Sequence, residues 1–86
     1  MGIHIQYQNS AISDSGLIFN WNTIIKWDEN NEYLVNFEIP YSVNCPVNVK
    51  IEPEDKCIIY DFCSKGFKVK RKNKRVKEAK WFAVGY

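Results

Sequence analysis

The chain has 86 residues, 45% of them hydrophobic and 15% aromatic, and a formal net charge of +2. That is one domain's worth of sequence, too rich in Ile, Val, Phe, Tyr and Trp for a disordered chain. It holds no run near the roughly 20 apolar residues that a membrane-spanning helix needs, and its first residues carry neither the basic nor the apolar run of a secretory leader.

In chain order the dominant period is two. Ile3, Ile5 and Tyr7 alternate with polar neighbours and predict a short strand, and residues 9–16, rich in Ser, Asn, Asp and Gly, predict a turn-rich stretch. Over 17–22, Leu17, Phe19 and Trp21 share a strand face, and Asp28-Glu29-Asn30-Asn31 marks a loop. From Tyr33 to Ile51 the apolar residues fall on odd positions. Pro40 and Pro46 lack the N–H of a central ladder, which divides the run into strands at 33–39 and 47–52 with an irregular crossing between.

Pro53-Glu54-Asp55-Lys56 predicts a turn and 57–62 a further strand. A hairpin of these two strands would pair Ile51 with Ile58, Val49 with Tyr60 and Val47 with Phe62 on one apolar face. Ser64-Lys65-Gly66 turns the chain, 67–70 alternates, Lys72-Asn73-Lys74 is a loop tip, and 79–85 is a last, largely apolar strand. No segment has a helical period. Five or six strands with turn signals every 8–12 residues predict a small all-β, antiparallel sandwich or barrel. Phe37, Phe67, Trp81 and Phe82 are candidate core anchors; of the adjacent pair Trp81 and Phe82, one must face away from the core.

The residues of catalysis are missing. His4 is the only histidine, no Gly-x-Ser-x-Gly elbow or Gly-rich phosphate loop accompanies it, and the acid pairs Asp28/Glu29 and Glu52/Glu54 fall in turn-like segments. No catalytic residue, cofactor or enzymatic activity is expected. Cys45, Cys57 and Cys63 match no zinc spacing, so no metal site is expected either. Cys57 and Cys63 at the two ends of one extended strand would lie about 20 Å apart, far beyond bridging distance, and are expected to be free thiols.

The charge is unevenly placed. Residues 1–64 hold three basic residues against nine acidic ones, whereas 65–86 hold nine basic residues and one acidic, Glu78. The segment Lys65–Lys80 reads as a basic hairpin whose tip faces solvent or an anionic partner. As a solvated edge it would guard against aggregation. As a phosphate-binding hairpin, with Phe67, Trp81 and Phe82 as stacking faces, it would serve nucleic acid. Arg and Asn at such a tip can also give bidentate hydrogen bonds to a glycan, which makes Arg71, Asn73 and Arg75 the candidate ligand contacts. Loops 28–32 and 40–46 are the alternative places for a site.

Four segments in order resemble the C-terminal receptor-binding tip domain of bacteriophage tail fibres, of the H-type lectin-like kind. They are Ser15-Gly16-Leu17-Ile18-Phe19-Asn20-Trp21, the stretch Val35 to Cys45, Gly66-Phe67-Lys68-Val69, and the closing Trp81-Phe82-Ala83-Val84-Gly85-Tyr86. The resemblance covers 15–86 and leaves 1–14 as an N-terminal strand and lead-in. It implies a six-stranded antiparallel β-sandwich, a parallel homotrimer, and attachment to a cell-surface glycan or anionic surface polymer without membrane insertion. It places the chain in the virion at the fibre tip, or in the cytoplasm before assembly. The alternatives are a small nucleic-acid-binding β-barrel using 65–80, and a purely structural trimerisation domain.

Overall fold

The computed structural model describes residues 2–43 and 46–86, and the side chains of all of these except 3–5. Cys45, which enters both the Val35–Cys45 motif and the cysteine count, and the side chain of His4 lie outside the described residues.

The described chain is all-β, with two antiparallel sheets. The strands are β1 (Ile3–Gln6), β2 (Ser10–Ser13), β3 (Ile18–Ile24), β4 (Glu32–Asn36), β5 (Asn48–Glu52), β6 (Cys57–Cys63), β7 (Gly66–Arg71) and β8 (Ala79–Gly85). One sheet has five strands in the order β1-β2-β3-β8-β5, the other three in the order β4-β7-β6. The expected count was six strands; eight are present among the described residues. The extra strand of the lead-in is β2, and β1 and β2 both belong to the five-stranded sheet.

β2 reads as a turn in the sequence because two of its four residues are serines. Ser10 and Ser13 are buried, and each has its hydroxyl satisfied: Ser10 Oγ donates to a Glu38 carboxylate oxygen, and Ser13 Oγ accepts from the Leu17 N–H at 3.0 Å. A buried hydroxyl is tolerated when it is hydrogen-bonded. Hydropathy alone gives no sign of this.

The core lies between the sheets. Ile51, Ala79, Trp81 and Ala83 face it from the five-stranded sheet, and Val35, Cys57, Phe67 and Val69 from the other. Phe67 meets Trp81 edge-on with ring centroids 5.4 Å apart, and Phe37 packs on both rings from the chain that follows β4. Edge-to-face contacts of this kind suit the ring quadrupoles. Three of the four expected anchors are therefore core residues. Phe82 is not: it is 43% exposed on the outer face, where it packs against Phe19 at 5.9 Å.

The expected hairpin of 47–52 with 57–62 does not form. β5 pairs with β8, placing Ile51 opposite Trp81, while β6 pairs with β7 in the other sheet. The chain crosses between the sheets at Pro53 and a 3-10 turn, Glu54–Lys56. The inward residues of β6 are also the opposite set: Cys57 is buried and Ile58 is 46% exposed. All four of Cys57-Ile58-Ile59-Tyr60 can be buried, so alternation there does not fix the face. At Asp61 the backbone turns left-handed, with φ 50°, and the register shifts between Tyr60 and Cys63. Beyond that irregularity Phe62 stacks on Phe67 and caps the core.

The run expected as one strand over 33–39 leaves the sheet after Asn36. Phe37 and Tyr41 then bond through their N–H groups to the carbonyls of Lys65 and Ser64, at 2.9 Å each. Gly66, in the Gly-Phe-x-Val motif, starts β7 where a Cβ would fall 1.9 Å from the Val35 carbonyl oxygen. Only glycine allows that approach. Cys57 and Cys63 are both free thiols, and burial pushes the Cys57 thiol upward from its ordinary pKa.

Candidate functional site

The basic segment is not a hairpin. β7 and β8 belong to different sheets, so residues 72–78 form a loop that crosses from one sheet to the other. This distributes the charge. Lys68 and Lys70 stand on the outer face of the three-stranded sheet, Lys80 on the outer face of the five-stranded one, and Lys72, Lys74, Arg75 and Lys77 on the loop between them.

Two aromatic and cationic side chains fix the base of that loop. Arg71 Nη1 donates to the Val76 carbonyl at 2.8 Å, and its Nε donates to Asn31 Oδ1 at 3.1 Å. The same guanidinium lies over the Trp27 ring, 5.1 Å from its centroid, and Trp27 Nε1 donates to the Lys77 carbonyl at 3.2 Å. Asn31 can present its amide here because it adopts a left-handed φ of 63° at the end of a loop tied by Asp28, whose Oδ1 accepts from the N–H groups of Asn30 and Glu32. Left-handed backbone is tolerated best by Asn and Gly.

The three candidate contacts therefore divide. Arg71 is half-buried and holds two loops together. Asn73 is exposed; its Oδ1 accepts from the Arg75 N–H at 2.8 Å, which shapes the turn, and the residue lines the same cleft as Arg75. Arg75 is exposed and lines a cleft of about 580 Å³. The cleft lies between the 72–78 loop and the Pro53–Lys56 turn, and the two walls are joined where the Lys72 N–H donates to the Lys56 carbonyl at 2.9 Å. Lys56, Lys72, Arg75 and Lys77 line it against one acid, Glu78, and Pro53 and Val76 supply apolar floor. Lys56, Lys77 and Pro53 were not among the candidates. Their place in the cleft depends on the crossing of the chain between sheets.

Such a site suits an anion. Four cations in one concavity raise the local concentration of negative ligands, and the apolar floor gives contact for a ring or stem. Among the described residues, no group of three His, Cys, Asp or Glu side chains is placed to hold a metal ion. No helix among them is long and apolar enough to cross a membrane.

The role of Arg71 is open to direct measurement. Arg71→Ala should lower stability by about 1.5–3 kcal/mol, the usual range for hydrogen bonds made by a charged donor, as read by urea denaturation. Arg75→Ala, with no side-chain partner to lose in the fold, should change it by less than about 0.5 kcal/mol. Equal stability of the two variants would show that Arg71 does not hold the loop.

Compared with known protein families, curated proteins and solved structures, the chain matches none.

Proposed function

We propose that this chain is a receptor-binding module of the tail-fibre-tip, H-type lectin-like kind, and that the cleft under the 72–78 loop takes an anionic glycan or surface polymer. The observation that carries the reading is the gathering of Lys56, Lys72, Arg75 and Lys77 around one concavity whose loop is pinned from below by Arg71 and Trp27. A loop held at its base spares the cost of ordering its backbone on binding. The four segments quoted above for the resemblance support the same reading, and with it a homotrimer.

Retention on immobilised heparin and polygalacturonate tests it. The parent should be held at low salt and released as salt rises, because the attraction is between exposed charges. Arg75→Ala with Lys77→Ala should elute earlier, with a melting temperature close to the parent's, since exposed charges contribute little to stability. Light scattering should report three times the chain mass of 10.1 kDa. Retention of the double variant equal to the parent's would remove the cleft as the site, and a monomer mass would remove the trimer.

A further inference from the structure

We infer that the ligand is a linear acidic polysaccharide several sugars long, whose chain leaves the cleft over Lys80 and lies on an aromatic platform of the five-stranded sheet. This rests on the reading of the cleft as the receptor site and extends it to a second, continuous surface.

The platform is the outer face of β3, β8 and β5. Their register sets Trp21, Phe82 and Lys50 side by side in one row across the three strands. Phe19 and Val84 form the next row, and Thr23, Lys80 and Glu52 the row on the other side. Neighbouring strands are about 4.8 Å apart and successive rows about 6.8 Å, so these side chains make one contiguous surface. Phe82 is 43% exposed at its centre, and Phe19 and Trp21 are half-buried beside it. Aromatic rings held on the solvent side of a small domain, where they add nothing to the core, mark an interaction surface.

The platform is continuous with the cleft. A shallower depression lined by Glu52, Pro53, Glu78 and Lys80 shares Pro53 and Glu78 with the cleft, and Lys80 stands one row from Phe82. A chain leaving Arg75 and Lys77 therefore meets Lys80 next and then the aromatic row, flanked by Lys50.

Charge along this track favours a polysaccharide. Glu52 and Glu78 line the passage between cleft and platform. A single-stranded DNA backbone carries a phosphate at every unit and no hydroxyl donor to offset its repulsion from these carboxylates. A polysaccharide presents hydroxyl donors between its acidic groups, and carboxylates are strong acceptors for them. The flat faces of sugar rings suit Phe82 and Trp21.

Calorimetry of the whole chain, with disaccharides and octasaccharides of polygalacturonate, hyaluronate and heparin, tests the extension. The octasaccharide of at least one polymer should bind roughly tenfold tighter than its disaccharide, as expected when a buried aromatic anchor is engaged. Phe82→Ala should remove that advantage and leave disaccharide binding unchanged, while Phe82→Tyr should keep it; a cooperative thermal melt shows that both variants fold. Disaccharide binding that depends on Arg75 and Lys77, with no gain from length, would overturn the extension and leave the cleft as the site. Absence of binding by every oligosaccharide would overturn both. Tighter binding of a dT oligomer than of any octasaccharide would overturn it in favour of single-stranded nucleic acid.

Discussion

Trp81→Ala should lower the stability of this domain by about 3–5 kcal/mol, the range for removing a large aromatic from a packed interior. Small domains have about 5–15 kcal/mol in total, so the variant should be close to unfolding. Trp81 is 6% exposed, and its ring meets Phe67 edge-on and Phe37 at 5.8 Å. Phe67 belongs to the opposite sheet, so the substitution opens a cavity across the contact between the two sheets. Its neighbour is the internal control. Phe82 lies on the outer face, and Phe82→Ala should cost about 1 kcal/mol or less, because the side chain is 43% exposed and its removal leaves no enclosed cavity. Urea denaturation of both variants checks this. Equal loss in the two would mean that the strand does not present Trp81 to a core.

The second large effect is expected at Asn20. It is fully buried in the middle of β3, and its amide clamps both backbone groups of Ile39, in the irregular chain after β4: Nδ2 donates to the Ile39 carbonyl at 2.9 Å, and Oδ1 accepts from the Ile39 N–H at 3.1 Å. An amide is the side chain that can do both at once. Asn20→Ala leaves the Ile39 N–H and carbonyl without these partners, and an unsatisfied group costs about 1–3 kcal/mol. We expect a loss of about 2–4 kcal/mol.

Asn20→Asp adds a pH dependence with a definite sign. A buried carboxylate has its pKa raised by desolvation, so its penalty is present above that raised pKa and relieved as pH falls through it. Once protonated, the carboxyl can donate to the Ile39 carbonyl again. The stability deficit of this variant relative to the parent should therefore shrink from pH 7 towards pH 4. A deficit that stays constant with pH would show that position 20 is not buried against Ile39.

On the outer face of the three-stranded sheet, Tyr60 reaches across β7 to donate to Glu32 at 2.5 Å, and this hydrogen bond pushes the phenol pKa up to about 12. Leu34 and Ile58 stand exposed beside it. Together they leave that face mixed in character, in contrast to the aromatic row on the other sheet.

The strands themselves are a local property of this sequence. Period-two alternation and the punctuation of Gly, Pro, Asn and Asp place β1, β3, β5, β6, β7 and β8 within a residue or two of where they stand, because each depends on neighbours along the chain. The separation of free Cys57 from Cys63 along one strand follows from the same local geometry. What alternation leaves open is which face turns inward and which strand lies beside which. In β3 the apolar face of Phe19 and Trp21 is the outer one, and Asn20 and Ile24 face the core. An asparagine can take a core position only because a distant backbone, that of Ile39, satisfies it.

Pairing was equally beyond local reading. Two strands joined by a four-residue turn form a hairpin or cross between sheets according to the partners waiting for them, and β5 and β6 each have a better one in β8 and β7. The same choice at 72–78 turned an expected hairpin into a crossing loop. The candidate site follows that division. The cluster of basic residues is plain in the sequence, and Arg75 belongs to the cleft that it suggests. Arg71 carries the same charge a few residues away, but only the folded chain brings Asn31, Trp27 and the Val76 carbonyl around it. A guanidinium so engaged becomes part of the scaffold, because two of its five N–H donors are spent on the protein's own loops.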